Sequence, residues 1–160
     1  MRILAIDPGY DRCGVAIVDA HSVGGEVLVF SDCIETKKSD SYYARLKQVL
    51  DAVDTLADLH KPNIFAIENL FFNTNQKTAS KVSEVRGALL YLAMKKGLEI
   101  KEFTPLQIKL AVAGNGRADK RAVYEILPKL IKIDKKIKLD DEFDAIACAL
   151  TASALRNAKS

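Results

Sequence analysis

The sequence predicts an α/β fold: one mixed five-stranded sheet with helices on both faces. Three observations carry that expectation. Three apolar segments separated by short turns open the chain, as in an antiparallel meander. Two further short apolar segments follow, each preceded by an amphipathic stretch of helical length, and strands that alternate with helices join a sheet in parallel. The last third of the chain holds helical patterns and no further strand.

Each element has its own signal. Ile3, Leu4, Ala5 and Ile6 run without polar interruption, so residues 2–7 read as a buried strand, and Pro8 with Gly9 turns the chain. Residues 14–19 form the second strand. A turn at 23–25 leads to the third, residues 26–34. Tyr43, Leu46, Leu50, Val53, Ala57 and His60 recur at spacings of three and four, which predicts a helix over 41–60 that ends before Pro62. Residues 64–68 are a short apolar strand closed by a carboxylate. Residues 76–96 form a helix stopped by Gly97, with Val82, Val85, Leu89, Leu92 and Ala93 on one stripe. Leu90 and Met94 lie off it, so a second face either meets a partner or packs on the sheet. Residues 98–103 make the fifth strand. Thr104 and Pro105 read as an N-cap with proline at the first helical position. Helices follow over 106–113, 119–131 and about 141–157, with a basic loop over 132–139.

Composition narrows the function classes. The chain has 160 residues, the size of one domain, so 1–160 is expected to be a single unit. With 49% hydrophobic and 28% charged residues it is not a disordered sequence. No apolar run reaches the ~18 residues of a membrane span, and no leader pattern precedes the first strand, so no membrane association or secretion is expected. Cys13, Cys33 and Cys148 are odd in number and widely spaced, which suggests reduced thiols in a cytoplasmic protein rather than disulfides or a zinc site. Net charge is only +3, but its distribution is uneven. Residues 77–138 hold fifteen Lys and Arg against six Asp and Glu, while the segments on either side are net acidic. Such a band either attracts a polyanion or is a set of solvated helix faces.

The acids lie at element ends. Asp7 closes the first strand and Glu68 the fourth. If those strands are neighbours, both carboxylates share one edge of the sheet. Asp141 and Asp144, three residues apart, share one face at the start of the last helix. The helix start is ambiguous, since Asp140, Asp141, Glu142 and Asp144 are all available and Asp140 is also on the Asp144 face, so which of Asp140 and Asp141 belongs to the site stays open. Each acid alone has an ordinary explanation as a turn or helix-start residue. Glu68 resists it best, because a carboxylate that ends an apolar strand is costly unless paired or metal-bound. An all-oxygen set from three segments suits hard cations such as Mg²⁺ or Mn²⁺, and two such ions are the arrangement used in phosphoryl chemistry.

Together these residues resemble the RuvC family of Holliday junction endonucleases, whose domain has a ribonuclease H-like fold. Ile-Asp7-Pro-Gly9 followed by Gly14 is similar to the family's first motif, and Ala-Ile-Glu68-Asn-Leu-Phe71 to its second. The segment from Ala79 to Arg86-Gly87-Ala88 is similar to the helix that follows. The stretch from Thr104-Pro105 through Lys109, Gly114, Gly116 and Lys120 is the most specific match, and Asp141-Glu-Phe-Asp144 closes the set. The resemblance implies that Asp7, Glu68, Asp141 and Asp144 bind the metal, Mg²⁺ with Mn²⁺ able to substitute and two ions per site. It implies that Lys109 and Lys120 contact DNA near the cut. Phe71 would stack on opened bases, although Phe71 and Phe72 also read as core. It further implies a homodimer acting on four-way DNA junctions in recombination and repair, with a branch-migration motor of the RuvA and RuvB type as partner. Cys13, Tyr10 and Asp11 depart from the family's usual residues. Asp11-Arg-Cys-Gly14-Val-Ala is partly similar to YqgF, a related nuclease family linked to ribosomal RNA maturation, which gives the alternative reading. The first turn also fits a D-x-G-x-x-x-x-G phosphate cradle of the actin and sugar-kinase superfamily, but that architecture needs two domains of this size.

Overall fold

The chain runs β1 (Arg2–Asp7), β2 (Arg12–Ala20), β3 (Glu26–Glu35), α1 (Tyr42–His60), β4 (Ile64–Glu68), α2 (Gln76–Lys95), β5 (Glu99–Phe103), α3 (Pro105–Ala113), α4 (Lys120–Leu130) and α5 (Asp140–Ala154). This is a computed structural model, and it describes residues 1–21, 25–69 and 76–155. The sheet order is β3-β2-β1-β4-β5. β1 pairs antiparallel with β2, and β2 with β3, while β4 lies parallel to β1 and β5 parallel to β4. The meander followed by parallel strands is the expected topology.

Strand alternation divides the apolar residues between two cores. On β1, Leu4 and Ile6 face a cluster with Val49 and Val53 of α1 and Val85 and Leu89 of α2. Ile3 and Ala5 face the opposite cluster, built with α3, α4 and α5. The same period of two holds on β4, where Phe65 and Ile67 face α1 and α2 while Ile64 and Ala66 face α5. Extending each series by one step puts Asp7 and Glu68 on the α5 side. Three of the sheet residues on the α5 side are alanines, Ala5, Ala16 and Ala66. This lets a helix that is itself rich in alanine sit close to the sheet.

The element boundaries moved where tertiary pairing overrode local signals. β2 begins at Arg12 rather than 14 because Arg12 and Cys13 pair with Glu35 and Ile34 of β3. The helix expected from about 141 begins at Asp140, one residue earlier, after the extended Leu139. Thr104 caps α3 as expected: it accepts from Gln107 N, and Gln107 Oε1 accepts from Thr104 N. Pro128 lies near the end of α4, just before Ile131 ends the helix in extended conformation. On α2, Val85, Leu89 and Ala93 are buried and Leu90 packs partly against the same core, whereas Tyr91 and Met94 are exposed. Of the two residues expected on a second face, only Met94 lies in the open. No helix among the described residues is long and apolar enough to cross a membrane.

Candidate active site

Asp7 and Glu68 end neighbouring parallel strands, with Ile6 opposite Ile67 in the register. Their side chains therefore emerge side by side under the start of α5. Two glycines let this happen. A Cβ on Gly9 would stand 2.1 Å from Arg12 O, so the turn after Asp7 closes only without a side chain. Gly14 pairs with Asp7, and a Cβ there would meet Asp141 O at 1.8 Å. The first turn of α5 thus rests directly on β2, which brings its acids to the sheet acids. Arg45 of α1, largely buried, secures the turn. It donates to Thr36 Oγ1 at 2.8 Å and to Tyr10 O at 3.4 Å and pairs with Asp11.

Asp7, Glu68, Lys109, Lys120 and Asp144 line one open cleft of about 530 Å³, with Pro105, Ile108, Val123 and Ala147 beneath them. Asp144 receives the Tyr124 hydroxyl at 2.9 Å on Oδ1 and Lys120 Nζ at 2.8 Å on Oδ2. Lys120 also reaches Asp140 Oδ2 at 3.0 Å. Arg12 spans the other side, 3.1 Å from Asp141 Oδ2 and 3.5 Å from Asp140 Oδ1. The Arg12–Asp141 approach is close but poorly aligned, and Asp141 Oδ2 is buried with no hydrogen bond. Asp141 lies toward a second pocket, beside Gly9, Tyr10, Arg12, Thr36 and Lys38.

The charges are mutually unfavourable. Burial pushes the Asp7 carboxyl well above the ordinary carboxylate range, and the charges of Asp144, Glu68 and Asp141 push it further. Glu68 is raised to about 7, chiefly by burial and then by Asp144, with Lys120 and Lys109 acting the other way. Asp141 is raised by burial, while Asp140 is lowered by its bond to Lys120. Burial opposes the charge on Lys120, but hydrogen bonds to Asp144, Tyr124 and Asp140 outweigh it and hold the ammonium protonated. The two ambiguous acids therefore differ. Asp140 is ion-paired to two cations, whereas Asp141 meets Arg12 alone and its Oδ2 has that ion pair but no hydrogen bond.

This donor set fits a hard divalent cation. It is all carboxylate, burial and then the neighbouring carboxylates raise Asp7 and Glu68, and it contains one buried oxygen without a hydrogen bond. In the conformation described, no three His, Cys, Asp or Glu side chains among the described residues already surround one point as ligands. Lys120 supplies part of the missing charge instead.

Of the residues singled out in the sequence, Asp7, Glu68, Asp144, Lys109 and Lys120 meet in the cleft, and Asp141 adjoins it. Phe71 lies outside the described residues. Two residues were missed. Tyr124 stands one helical turn after Lys120, a spacing that puts both on one face. Arg12 had no local signal, since its partners are 128 and 129 positions away.

The fold and the acid-lined cleft define a ribonuclease H-like enzyme domain, with carboxylates at the ends of two adjacent parallel strands and on the helix that crosses them. The family profile described as "Crossover junction endodeoxyribonuclease RuvC" matches residues 3–152. The protein of that name from Finegoldia magna is 41% identical over 94% of this chain and 91% of its own length. The one from Moorella thermoacetica is 39% identical over 94% and 89%. The "Thermus thermophilus RuvC structure" superposes with a TM-score of 0.88 at 26% identity, covering 98% of this chain and 95% of that one. A second, "T. thermophilus RuvC in complex with Holliday junction substrate", gives 0.86 at 23% identity over the same shares and shows the fold alone. The chain belongs to the RuvC family of crossover junction endodeoxyribonucleases.

Proposed function

We propose that this chain, acting as one domain over residues 1–160, resolves four-way DNA junctions by symmetric phosphodiester hydrolysis in recombination and repair. The observation that carries the reading is the convergence of Asp7, Glu68 and Asp144 on one cleft flanked by Lys109 and Lys120, with Asp141 beside it. Asp7, Glu68, Asp141 and Asp144 would hold divalent metal, Mg²⁺ with Mn²⁺ as a substitute, two ions per site. Bound metal would supply a nucleophile from water and offset charge on the leaving 3′ oxygen, and the expected products carry 5′-phosphate and 3′-hydroxyl ends.

The chain's own groups do the rest. Lys109 and Lys120 offer positive charge to the phosphate backbone at the cleft mouth. Tyr124 holds one oxygen of Asp144, so the other oxygen is the one free to change partner. Arg12 balances the paired charges of Asp140 and Asp141. Phe71 would stack on a base unpaired at the crossover.

Symmetric cutting needs two sites facing strands of equal polarity, so the working unit is a twofold homodimer. The exposed Tyr91 and Met94 beside Gly87 on α2 support that face as its interface. A branch-migration motor of the RuvA and RuvB type is the expected partner. Free cysteines at 13, 33 and 148 support residence in the cytoplasm. The test is cleavage of a synthetic four-way junction in Mg²⁺ or Mn²⁺, against linear duplex and structured RNA. Paired, religatable nicks confined to the junction are expected. Preferential cutting of RNA would favour the YqgF-like alternative, which the family match does not support.

A further inference from the structure

Glu142 lies between Asp141 and Asp144 in sequence but faces β3 rather than the cleft. Its side chain is among the few charged groups buried in the described structure, at 5% exposure. Ser31 Oγ of β3 donates to Glu142 Oε1 at 2.6 Å, and Lys135 Nζ lies 2.6 Å from the same oxygen. Lys135 also donates to Ser31 O. A serine, a glutamate and a lysine more than a hundred positions from the serine thus close a three-membered ring of bonds. Lys135 comes from the basic segment between α4 and α5, so that segment is strapped down by one of its lysines.

Stability alone does not account for a buried carboxylate whose lysine partner is itself about half exposed. Replacing a buried ion pair by well-packed apolar groups is often neutral or stabilising. Its location offers a reason. α5 has no side-chain N-cap hydrogen bond at Leu139, and its first turn opens with three consecutive acids. Its far end is tied to the same strand, Ser153 Oγ donating to Glu26 Oε1 at 2.8 Å. The helix is therefore pinned to β3 at both ends, and the pin at the cleft end is Glu142. A helix is about 10–12 Å across with its side chains, so a rotation of about 10° displaces a side-chain tip by about 1 Å. Misplacement on that scale is worth on the order of 100-fold in rate.

We infer that Glu142 is a positioning residue: held by Ser31 and Lys135, it sets the rotation of α5 about its axis and hence the places of Asp141 and Asp144. The inference rests on the junction-cutting reading for its kinetic consequence, but not for its structural one. Two measurements separate these. The first is single-turnover cleavage beside junction affinity in EDTA. The second is hydrogen exchange at the amides of residues 144–147 in metal-free protein.

Glu142→Leu combined with Lys135→Met keeps an apolar fill and removes the ring. It is expected to melt within a few degrees of the unchanged protein and to bind the junction equally. Its cleavage rate should fall about 10–100-fold, and exchange at 144–147 should accelerate at least several-fold with other helices unchanged. Glu142→Gln, which can still accept from Ser31, is expected to recover most of the rate. If the double variant does not fold, Ser31→Ala carries the test with the same signs. Cleavage at the unchanged rate, or exchange at 144–147 indistinguishable from the unchanged protein, overturns the inference. If the unchanged protein cuts no junction, the proposed function fails instead, and the exchange result alone decides the positioning role.

Discussion

Glu68→Gln turns the electrostatics of the cleft into a measurable stability difference. In metal-free protein the Glu68 carboxyl is raised from 4.5 to about 7, chiefly by burial. The folded state therefore binds this proton more tightly than the unfolded state, and stability falls as pH rises through that interval. The penalty is absent below about 4.5, grows between 4.5 and 7, and is complete above 7. At about 1.4 kcal/mol per unit the shift corresponds to roughly 3 kcal/mol, and solvent at the cleft mouth trims this to about 2 kcal/mol.

Glutamine has the same shape and no charge, so the variant should escape the penalty. For a chain of this size about 2 kcal/mol is worth roughly 4–8 °C in melting temperature. In EDTA the variant should therefore melt about 4–8 °C higher than the unchanged protein at pH 8 and within about 1 °C of it at pH 4.5. Removing the Glu68 charge also relieves Asp7, which adds to the gain at pH 8. Saturating Mg²⁺ should reverse the order, because only the unchanged protein keeps every carboxylate for the ion. A melting difference that stays constant from pH 4.5 to 8 would refute the reasoning, since it would locate the effect in packing rather than charge.

Asp7→Asn should abolish cleavage while junction binding in EDTA survives or tightens, since one repulsion toward phosphate is lost; a gel shift beside a cleavage assay checks both. Tyr124→Phe removes the donor to Asp144 but keeps the ring stacked on Phe143, 4.7 Å between centroids. The cleavage rate should drop about 10–100-fold with junction affinity unchanged, as when a hydrogen-bond partner of a metal-binding group is lost. Lys120→Ala should slow cleavage more than it weakens metal binding and flatten the salt dependence of junction binding by about one unit of slope. Met94→Glu should weaken a homodimer by placing a charge on the exposed face of α2, to be read by sedimentation at micromolar concentration; a monomeric unchanged protein would remove that interface from consideration.

Local pattern determined a great deal here. Apolar runs and their turns define the strands, and spacings of three and four define the helices, because both report which side of a single element is buried. The same pattern places Asp7 and Glu68 at strand ends and Asp141 and Asp144 on one helical turn. It also points to Thr104 and Pro105 as a helix start, which the reciprocal Thr104–Gln107 bonds bear out.

Other features depend on contacts between residues far apart in the chain, and no local periodicity encodes them. That Gly14 must be glycine follows from the carbonyl of Asp141 lying over it, 127 positions away. That Asp140 pairs with two cations and Asp141 with one, its Oδ2 left without a hydrogen bond, follows from where Arg12 and Lys120 end up, not from the run of acids in which both stand. Leu90 and Met94 look alike in the sequence of α2, yet only the sheet's position decides that one packs inward and the other meets solvent. Glu142 is the sharpest case. In the sequence it is one of four acids available at the helix start, and only the packing of α5 against β3 makes it a buried one.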